Sequence, residues 1–86
     1  MASYSVEVSR TAEKQLAELP RTEQIRVLRV IQQLGTDPRP AGCRKLAGHA
    51  RTFRVRVGTY RVIYDIDDRR VVVVVLKVGH RREVYR

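Results

Sequence analysis

The chain has 86 residues, of which 43% are hydrophobic, and its 18 Lys and Arg against nine Asp and Glu give a formal net charge of +9. A chain of this length forms one domain around one core. Its content of Val, Ile and Leu excludes an intrinsically disordered protein, which lacks these residues. We therefore expect a single domain over residues 1–86.

The first half of the chain predicts one strand followed by a helical hairpin. Residues 3–8 alternate between polar and apolar side chains, which is the pattern of a strand. Ser9 is a suitable N-cap for a first helix, and Pro20 ends that helix. A second helix is predicted from about Thr22 to Leu34, before Gly35. The predicted apolar faces consist of Ala12, Leu16 and Leu19 in the first helix, and of Ile25, Leu28, Ile31 and Leu34, widened by Val27 and Val30, in the second.

The second half predicts strands joined by short turns. Arg44–Leu46 and Thr52–Val57 are the first two, and Gly58-Thr59 is a two-residue hairpin turn leading to Tyr60–Ile66. Val71–Val78 is apolar on both faces, which indicates a central, covered strand. The order β-α-α-β-β-β-β predicts a small α+β domain, with the N-terminal helical hairpin packed on a mainly antiparallel sheet.

The basic residues concentrate in the second half of the chain. Residues 44–86 carry 12 basic and four acidic side chains, against six and five in residues 1–43, and 15 of the 18 cations are Arg. The planar guanidinium binds phosphate through two parallel hydrogen bonds. The pattern favours a polyanion as partner over a basic surface that serves only solubility.

Cysteine and aspartate content argue against disulfides, membranes and metals. Cys43 is the single cysteine, and the longest apolar run, Val71–Leu76, is too short to span a bilayer. With no secretion signal at residues 1–10, we expect a cytoplasmic protein without a membrane segment. The acidic cluster Asp65, Asp67 and Asp68 lies at a predicted turn, which favours turn chemistry over a metal site, and no cofactor is predicted.

Two arginines are predicted to face each other across the hairpin. Counting back from Gly58-Thr59 pairs Arg56 with Arg61, and Arg54 shares the face of Arg56 because strand side chains alternate. Like charges opposite each other destabilise a sheet. Either both side chains extend into solvent, or an anion lies between them.

The C-terminal residues add further groups that suit RNA cleavage. Gly79 is predicted to end the last strand, and the polar tail after it contains His80, Arg81 and Tyr85. Cleavage by phosphoryl transfer requires a base for the 2′-hydroxyl, positive charge around the phosphorane and a proton for the leaving oxygen. The alternative is structural: His80 as a residue at a strand end, and Tyr85 as a packing or stacking group.

Two segments, Gly58–Tyr64 and Val78–Tyr85, resemble the RelE family of bacterial toxins in the RelE/ParE superfamily, and Arg44–Gly48 fits as well. The resemblance covers essentially the whole chain and implies a RelE-like fold. It also implies an mRNA interferase that enters the ribosomal A site. Such a toxin cuts the codon there by metal-independent attack of a 2′-hydroxyl, which leaves a 2′,3′-cyclic phosphate.

The same resemblance implies roles for individual residues. Arg61 corresponds to a phosphate-stabilising arginine, Arg81 to a general acid or charge stabiliser, and Tyr85 to the general base. His80 stands where the best-known members have Lys, so it shares or replaces the role of Tyr85. Ala47 stands where some members have another arginine. The predicted RNA-binding residues are Lys45, Arg54, Arg56, Arg44, Arg51 and Arg82.

Toxins of this family are held inactive by an antitoxin. The resemblance therefore implies an acidic antitoxin, RelB-like or from another family, which binds a monomeric toxin in a hetero-oligomer, with the 70S ribosome and mRNA as the other partners. Two alternatives are a ParE-like inhibitor of DNA gyrase and a non-catalytic basic RNA-binding module. The combination of Arg81 with Tyr85 favours the nuclease, because ParE proteins generally lack that terminal set.

Overall fold

Two helices pack on one face of a five-stranded sheet in the computed structural model, which describes residues 3–80. The sheet has the order β1-β5-β4-β3-β2, so the predicted α+β class is confirmed. The elements are β1 (Ser5–Val8), α1 (Arg10–Ala17), α2 (Arg21–Gln33), β2 (Arg44–Lys45), β3 (Thr52–Val57), β4 (Tyr60–Asp67) and β5 (Val72–His80).

The first and last strands lie side by side although they come from opposite ends of the chain. β1 pairs with β5 in parallel, whereas the three other neighbouring pairs are antiparallel, so the sheet is mainly antiparallel as predicted. β5 therefore lies between β1 and β4, in the interior position that its apolar sequence predicts. Gly35 after α2 permits close approach to β1: Tyr4 N donates to Gly35 O at 2.7 Å, and a Cβ on Gly35 would lie 3.0 Å from Tyr4 O.

The core confirms the predicted face of the first helix, and for the second it confirms Val27, Ile31 and Leu34 but not Ile25 and Leu28. Ala12 and Leu16 of α1 are buried. In α2 the buried residues are Val27 and Ile31, whereas Ile25 and Leu28 are 46% and 39% exposed. Apolar residues occupy more than half of the circumference of α2, so the sequence alone does not settle which side faces the sheet.

A β-bulge interrupts β5 at Leu76. Ile63 pairs with Lys77 and the next residue, Tyr64, pairs with Val75, which leaves Leu76 as an extra residue on β5. The Leu76 carbonyl accepts a hydrogen bond from Ser9 Oγ at 3.0 Å, and Ser9 Oγ in turn accepts one from Ala12 N at 3.1 Å as the predicted N-cap of α1. Ser9 thus joins the start of α1 to the bulge.

The bulge shifts the alternation of side chains by one residue. Val73 and Val75 face the helices before the bulge, and Val78 faces them after it. The strand also continues through Gly79 to His80, so the prediction that Gly79 ends it was wrong. Pairing with Tyr60 of β4 keeps this last segment in the sheet.

Within residues 3–80, neither helix is long and apolar enough to cross a membrane.

Candidate anion-binding site

Four arginines line a pocket on the sheet face that points away from the helices. The pocket has a volume of about 340 Å³. Its wall is formed by β2, β3 and β4 and by the loop before β2, whose Ala41 and Gly42 carry no charge. We call it the arginine pocket, and its guanidinium groups belong to Arg44, Arg54, Arg56 and Arg61.

Strand register brings these arginines together in two pairs. Arg44 is opposite Arg54 across β2 and β3, and Arg56 is opposite Arg61 across β3 and β4. The second pairing confirms the register predicted from the two-residue turn, in which Gly58 has φ +62° as a type II′ turn requires. Four like charges on three adjacent strands are unfavourable unless an anion compensates them.

Arg61 is the most enclosed of the four. It is 7% exposed, whereas Arg44 and Arg56 are exposed. A buried guanidinium has lost much of its hydration and responds strongly to a nearby negative charge, because the local dielectric is low. The enclosed Arg61 is therefore suited to direct contact with an anion, and the exposed Arg44 and Arg56 are suited to attracting the anion from solvent.

Two predicted site residues lie away from the pocket. Lys45 is opposite Phe53, which packs against the core, so Lys45 belongs to the helix-covered face. His80 is opposite Tyr60, and the two rings meet edge to face with centroids 6.0 Å apart. His80 is thus on the helix-covered face, opposite to that of Arg61, because the bulge at Leu76 has reversed the alternation.

The remaining predicted residues are placed as follows. Arg51 lies at the other end of β3, where its Nη1 is 3.4 Å from Asp67 Oδ2. Arg81, Arg82 and Tyr85 lie outside the described residues.

The three aspartates at the far end of the β3–β4 hairpin are held by other side chains. Asp65 accepts a hydrogen bond from Thr52 Oγ1 at 2.6 Å, and Asp67 accepts one from Arg70 N at 3.1 Å. The Asp68 carboxylate accepts hydrogen bonds from both terminal nitrogens of Arg39, at 3.3 and 2.9 Å. Of these contacts only that of Asp67 with Arg70 N is a turn contact, whereas Asp65 pairs across β3 and β4 and Asp68 binds a distant side chain. In the described part of the chain, no three His, Cys, Asp or Glu residues are grouped as metal ligands.

Arg39, which no sequence pattern singled out, organises this end of the sheet. Its guanidinium lies 5.2 Å from the centre of the Phe53 ring, a cation–π geometry. Its hydrogen bonds to Asp68, with a further one from Tyr4, hold the pKa of that carboxyl below its usual range. The hydrogen bond that Tyr4 donates to Asp68 also raises the pKa of the Tyr4 hydroxyl.

Tyr64 anchors the loop that precedes the pocket. Its side chain is fully buried, and its hydroxyl donates to Pro38 O at 2.8 Å. Burial, together with the nearby Cys43 thiol, raises the pKa of this hydroxyl. Tyr64 therefore stays protonated and serves to fix the loop whose later residues, Ala41 and Gly42, border the pocket.

The fold and the arginine pocket define a class: a small basic α+β protein with clustered arginines on the open face of its sheet. Comparison with known proteins gives the family. The family model described as the ParE toxin of type II toxin-antitoxin systems, parDE, matches residues 6–85. This chain belongs to that family of toxins, within the RelE/ParE superfamily, as the resemblance in its sequence predicts.

Relatives and solved structures agree with this membership. Toxin RelG of Mycobacterium tuberculosis is 38% identical, and the match covers 96% of this chain and 97% of RelG. The M. tuberculosis toxin-antitoxin complex RelBE2 contains a chain with a TM-score of 0.81 and 36% identity, covering 92% of this chain and 99% of that one. A chain of the archaeal RelE-RelB complex from Pyrococcus horikoshii gives a TM-score of 0.83 at 30% identity, covering 94% of this chain and 98% of that one.

Proposed function

We propose that this toxin is an endoribonuclease that enters the ribosomal A site and cuts mRNA there. The observation that carries the proposal is the arginine pocket, which gathers four guanidinium groups on one face of the sheet. In the proposed reaction a 2′-oxygen loses its proton and attacks the adjacent phosphorus, and the bond from phosphorus to the 5′-oxygen breaks. The 5′-oxygen takes up a proton, and a 2′,3′-cyclic phosphate remains.

The arginines would stabilise charge in this reaction without moving protons. Arg61, with Arg54 and Arg56 beside it, would contact the phosphate whose negative charge grows as the phosphorane forms. A guanidinium stays protonated under physiological conditions, so it is a poor base. Positive charge supplied in this way would make the reaction independent of metal ions. Arg81 would add charge or the proton for the leaving oxygen.

We propose Tyr85 rather than His80 as the general base. The contact between His80 and Tyr60 on the helix-covered face supports this choice, because it separates the imidazole from Arg61. The Tyr85 phenol has a reference pKa near 10, so its ionisation at pH 7 requires about 4 kcal/mol. Each arginine about 4 Å away offers roughly 1–4 kcal/mol, depending on the effective dielectric, so two or three would suffice in a desolvated complex.

Matched variants separate the two candidate bases. We expect Tyr85→Phe to lower single-turnover cleavage about 100- to 10,000-fold, as removal of a general base does, and His80→Gln to cause a much smaller loss. The measurement is cleavage of mRNA in purified ribosomes with excess toxin. Loss of cleavage in His80→Gln with retention in Tyr85→Phe would assign the base to His80 instead.

Other basic residues would bind RNA outside the reacting phosphate. Arg44 lies at the exposed side of the arginine pocket, which supports this role. Lys45, Arg51 and Arg82 would contact ribosomal RNA, and removing one of them should weaken binding while leaving the cleavage step intact.

An acidic antitoxin is the proposed inhibitor of this toxin. The structural relatives described above are chains of toxin-antitoxin complexes, which supports such a partner for a monomeric toxin in a hetero-oligomer. The concentration of positive charge in the arginine pocket supports this pocket as the place where an acidic antitoxin binds. We propose that acidic residues of the antitoxin cover this pocket and exclude the RNA phosphate.

A second candidate function is inhibition of DNA gyrase, because the matching family model is described for ParE toxins. One experiment decides between the two. Toxin induced in growing cells should cause cuts within translated mRNA, mapped by primer extension, whereas purified gyrase should keep its supercoiling activity. Gyrase-dependent DNA breaks with intact mRNA would select the ParE-like function and overturn our proposal.

A further inference from the structure

A second basic groove lies between α2 and the turn that joins β3 to β4. It has a volume of about 360 Å³. Three of its lining residues are the arginines Arg26 and Arg29 of α2 and Arg56 of β3. Val30 and Gly58 contribute to its uncharged surface. We call it the helix–turn groove. Its basic residues on α2 were not among those predicted to bind RNA.

The turn brings the α2 side of this groove close to the sheet. The guanidinium of Arg26 lies over Gly58, where a Cβ would be 3.2 Å from the nearest guanidinium nitrogen. A side chain at position 58 would therefore press against Arg26, in addition to the strain of its positive φ of +62°. Glu23 approaches Arg26 Nη1 at 3.3 Å, but both side chains are partly exposed, so this ion pair competes weakly with a phosphate.

Arg56 connects the groove to the arginine pocket, because it lines both. Positive charge thus continues from Arg61 through Arg56 to Arg26 and Arg29 without a carboxylate among the described lining residues. A single small anion would occupy one of the two sites. A polymer with regularly spaced phosphates can occupy both at once, and each guanidinium fork suits one phosphate.

The lining favours nucleic acid over a protein partner. Protein interfaces depend on buried apolar or aromatic anchors, surrounded by polar groups. The exposed large apolar residues of α2, Ile25 and Leu28, are not among the residues that line the groove. The groove instead presents positively charged side chains, and such charge is the main basis of binding to a phosphate backbone.

We infer that the helix–turn groove binds the RNA backbone next to the phosphate held in the arginine pocket. Arg26 and Arg29 are binding residues for a flanking phosphate, and Arg56 contacts the strand between the two sites. This inference rests on the proposed function. The RNA is either the mRNA strand itself or ribosomal RNA beside it, since both present the same phosphodiester chemistry.

The test uses binding without cleavage. A 12-nucleotide RNA with 2′-O-methyl groups throughout has no attacking hydroxyl, and its affinity for the full chain is measured by fluorescence anisotropy between 50 and 200 mM salt, together with sedimentation of the protein with 70S ribosomes. We expect Arg26→Gln/Arg29→Gln to weaken binding and to reduce the salt slope by about 0.7 for each phosphate that the variant no longer neutralises. Arg26→Lys/Arg29→Lys should retain most of the slope.

A matched double variant on α1 controls for net charge. Arg10→Gln/Lys14→Gln removes two exposed cations that do not line the groove, and it should change the slope little. An equal loss in this control would overturn the inference, since the effect would then be one of total charge. Unchanged affinity in the groove variant, for the oligonucleotide and for ribosomes alike, would also overturn it. So would weakened binding of an acidic antitoxin peptide with unchanged RNA binding.

The same measurements distinguish mRNA from ribosomal RNA as the ligand, and they distinguish failure of the inference from failure of the proposed function. Weaker binding of the oligonucleotide identifies the mRNA strand, and weaker binding of ribosomes alone identifies ribosomal RNA; either supports the inference. Arg54→Gln/Arg61→Gln reports on the arginine pocket. If this variant loses RNA binding and the groove variant does not, only the inference fails. If neither variant loses it, the proposed function fails as well.

Discussion

The two ends of the β3–β4 hairpin contain the same residue type in opposite electrostatic settings. At the turn end, Arg56 and Arg61 lie side by side in the arginine pocket, and the described residues that line it include no carboxylate. At the open end, Arg39 and Arg51 lie against Asp68 and Asp67. At the open end these arginines have carboxylate partners within the protein, whereas the turn end concentrates positive charge.

This difference sets the expected cost of removing an arginine at each end. An exposed ion pair such as that of Arg39 with Asp68 is screened by solvent, so its removal should change stability only slightly. Clustered arginines oppose folding through mutual repulsion. An anion bound at such a cluster would relieve this repulsion.

The largest expected effect is at the turn end. Arg61→Ala removes the enclosed guanidinium of the pocket and should lower single-turnover cleavage by about 100- to 1,000-fold, the usual effect of losing one charge stabiliser. Growth arrest on induction should disappear with it. Arg39→Ala at the open end is the matched control and should retain cleavage. Toxicity of Arg61→Ala equal to that of the parent, with equal thermal stability, would contradict the assignment.

Much of the arginine pocket follows from sequence because a two-residue turn fixes hairpin register. Gly58-Thr59 alone places Arg56 opposite Arg61, and the structure confirms this pairing. Thr52–Val57 is also predicted to the residue, since its alternation is strict. The contribution of Arg44 is less accessible, because it depends on a strand of only two residues at the edge of the sheet.

The sequence could not predict which residues of an all-apolar strand face the helices. Residues 71–76 are all apolar, so no alternation marks the bulge at Leu76 that moves His80 to the helix-covered face. The same physical reason explains the error on α2, where apolar residues on several sides leave its inward side undetermined. Arg39 was missed because its partners, Asp68 and Phe53, are distant in sequence.

The next effect tests the loop anchor near the open end. Tyr64→Phe removes the hydroxyl that donates to Pro38 O and leaves this buried carbonyl without its partner. We expect a loss of about 1–2 kcal/mol in the free energy of unfolding, or roughly 4–8 °C in Tm for each kcal/mol. Tyr4→Phe is the control, because its hydroxyl bonds to Asp68 at the surface. Equal Tm changes in the two variants would refute the anchoring role.

A smaller effect of opposite sign is expected at the turn between β4 and β5. Val71 has φ +57°, a left-handed conformation that costs a β-branched residue about 1–2 kcal/mol. Glycine removes this strain but loses about 0.5–1 kcal/mol through its greater freedom in the unfolded chain. Val71→Gly should therefore raise the free energy of unfolding by up to about 1 kcal/mol in denaturant titration. Val71→Ala keeps the Cβ that clashes and should recover only a small part of the gain; a gain equal to that of glycine would show that the Cβ clash is not the cause.

The smallest effect is the pH dependence at Asp68. Arg39 and Tyr4 lower the pKa of this carboxyl in the folded state, so the ionised form is favoured by folding. Its contribution to stability is fully present above the unfolded pKa of about 4 and is lost as the pH falls through the lower, folded value. Asp68→Asn should lower Tm slightly at pH 7, and the difference from the parent should vanish under strongly acidic conditions. A difference that stays constant from pH 7 to pH 2 would show that geometry, rather than charge, connects Asp68 to Arg39, and the open end would no longer be a case of charge neutralised by the protein.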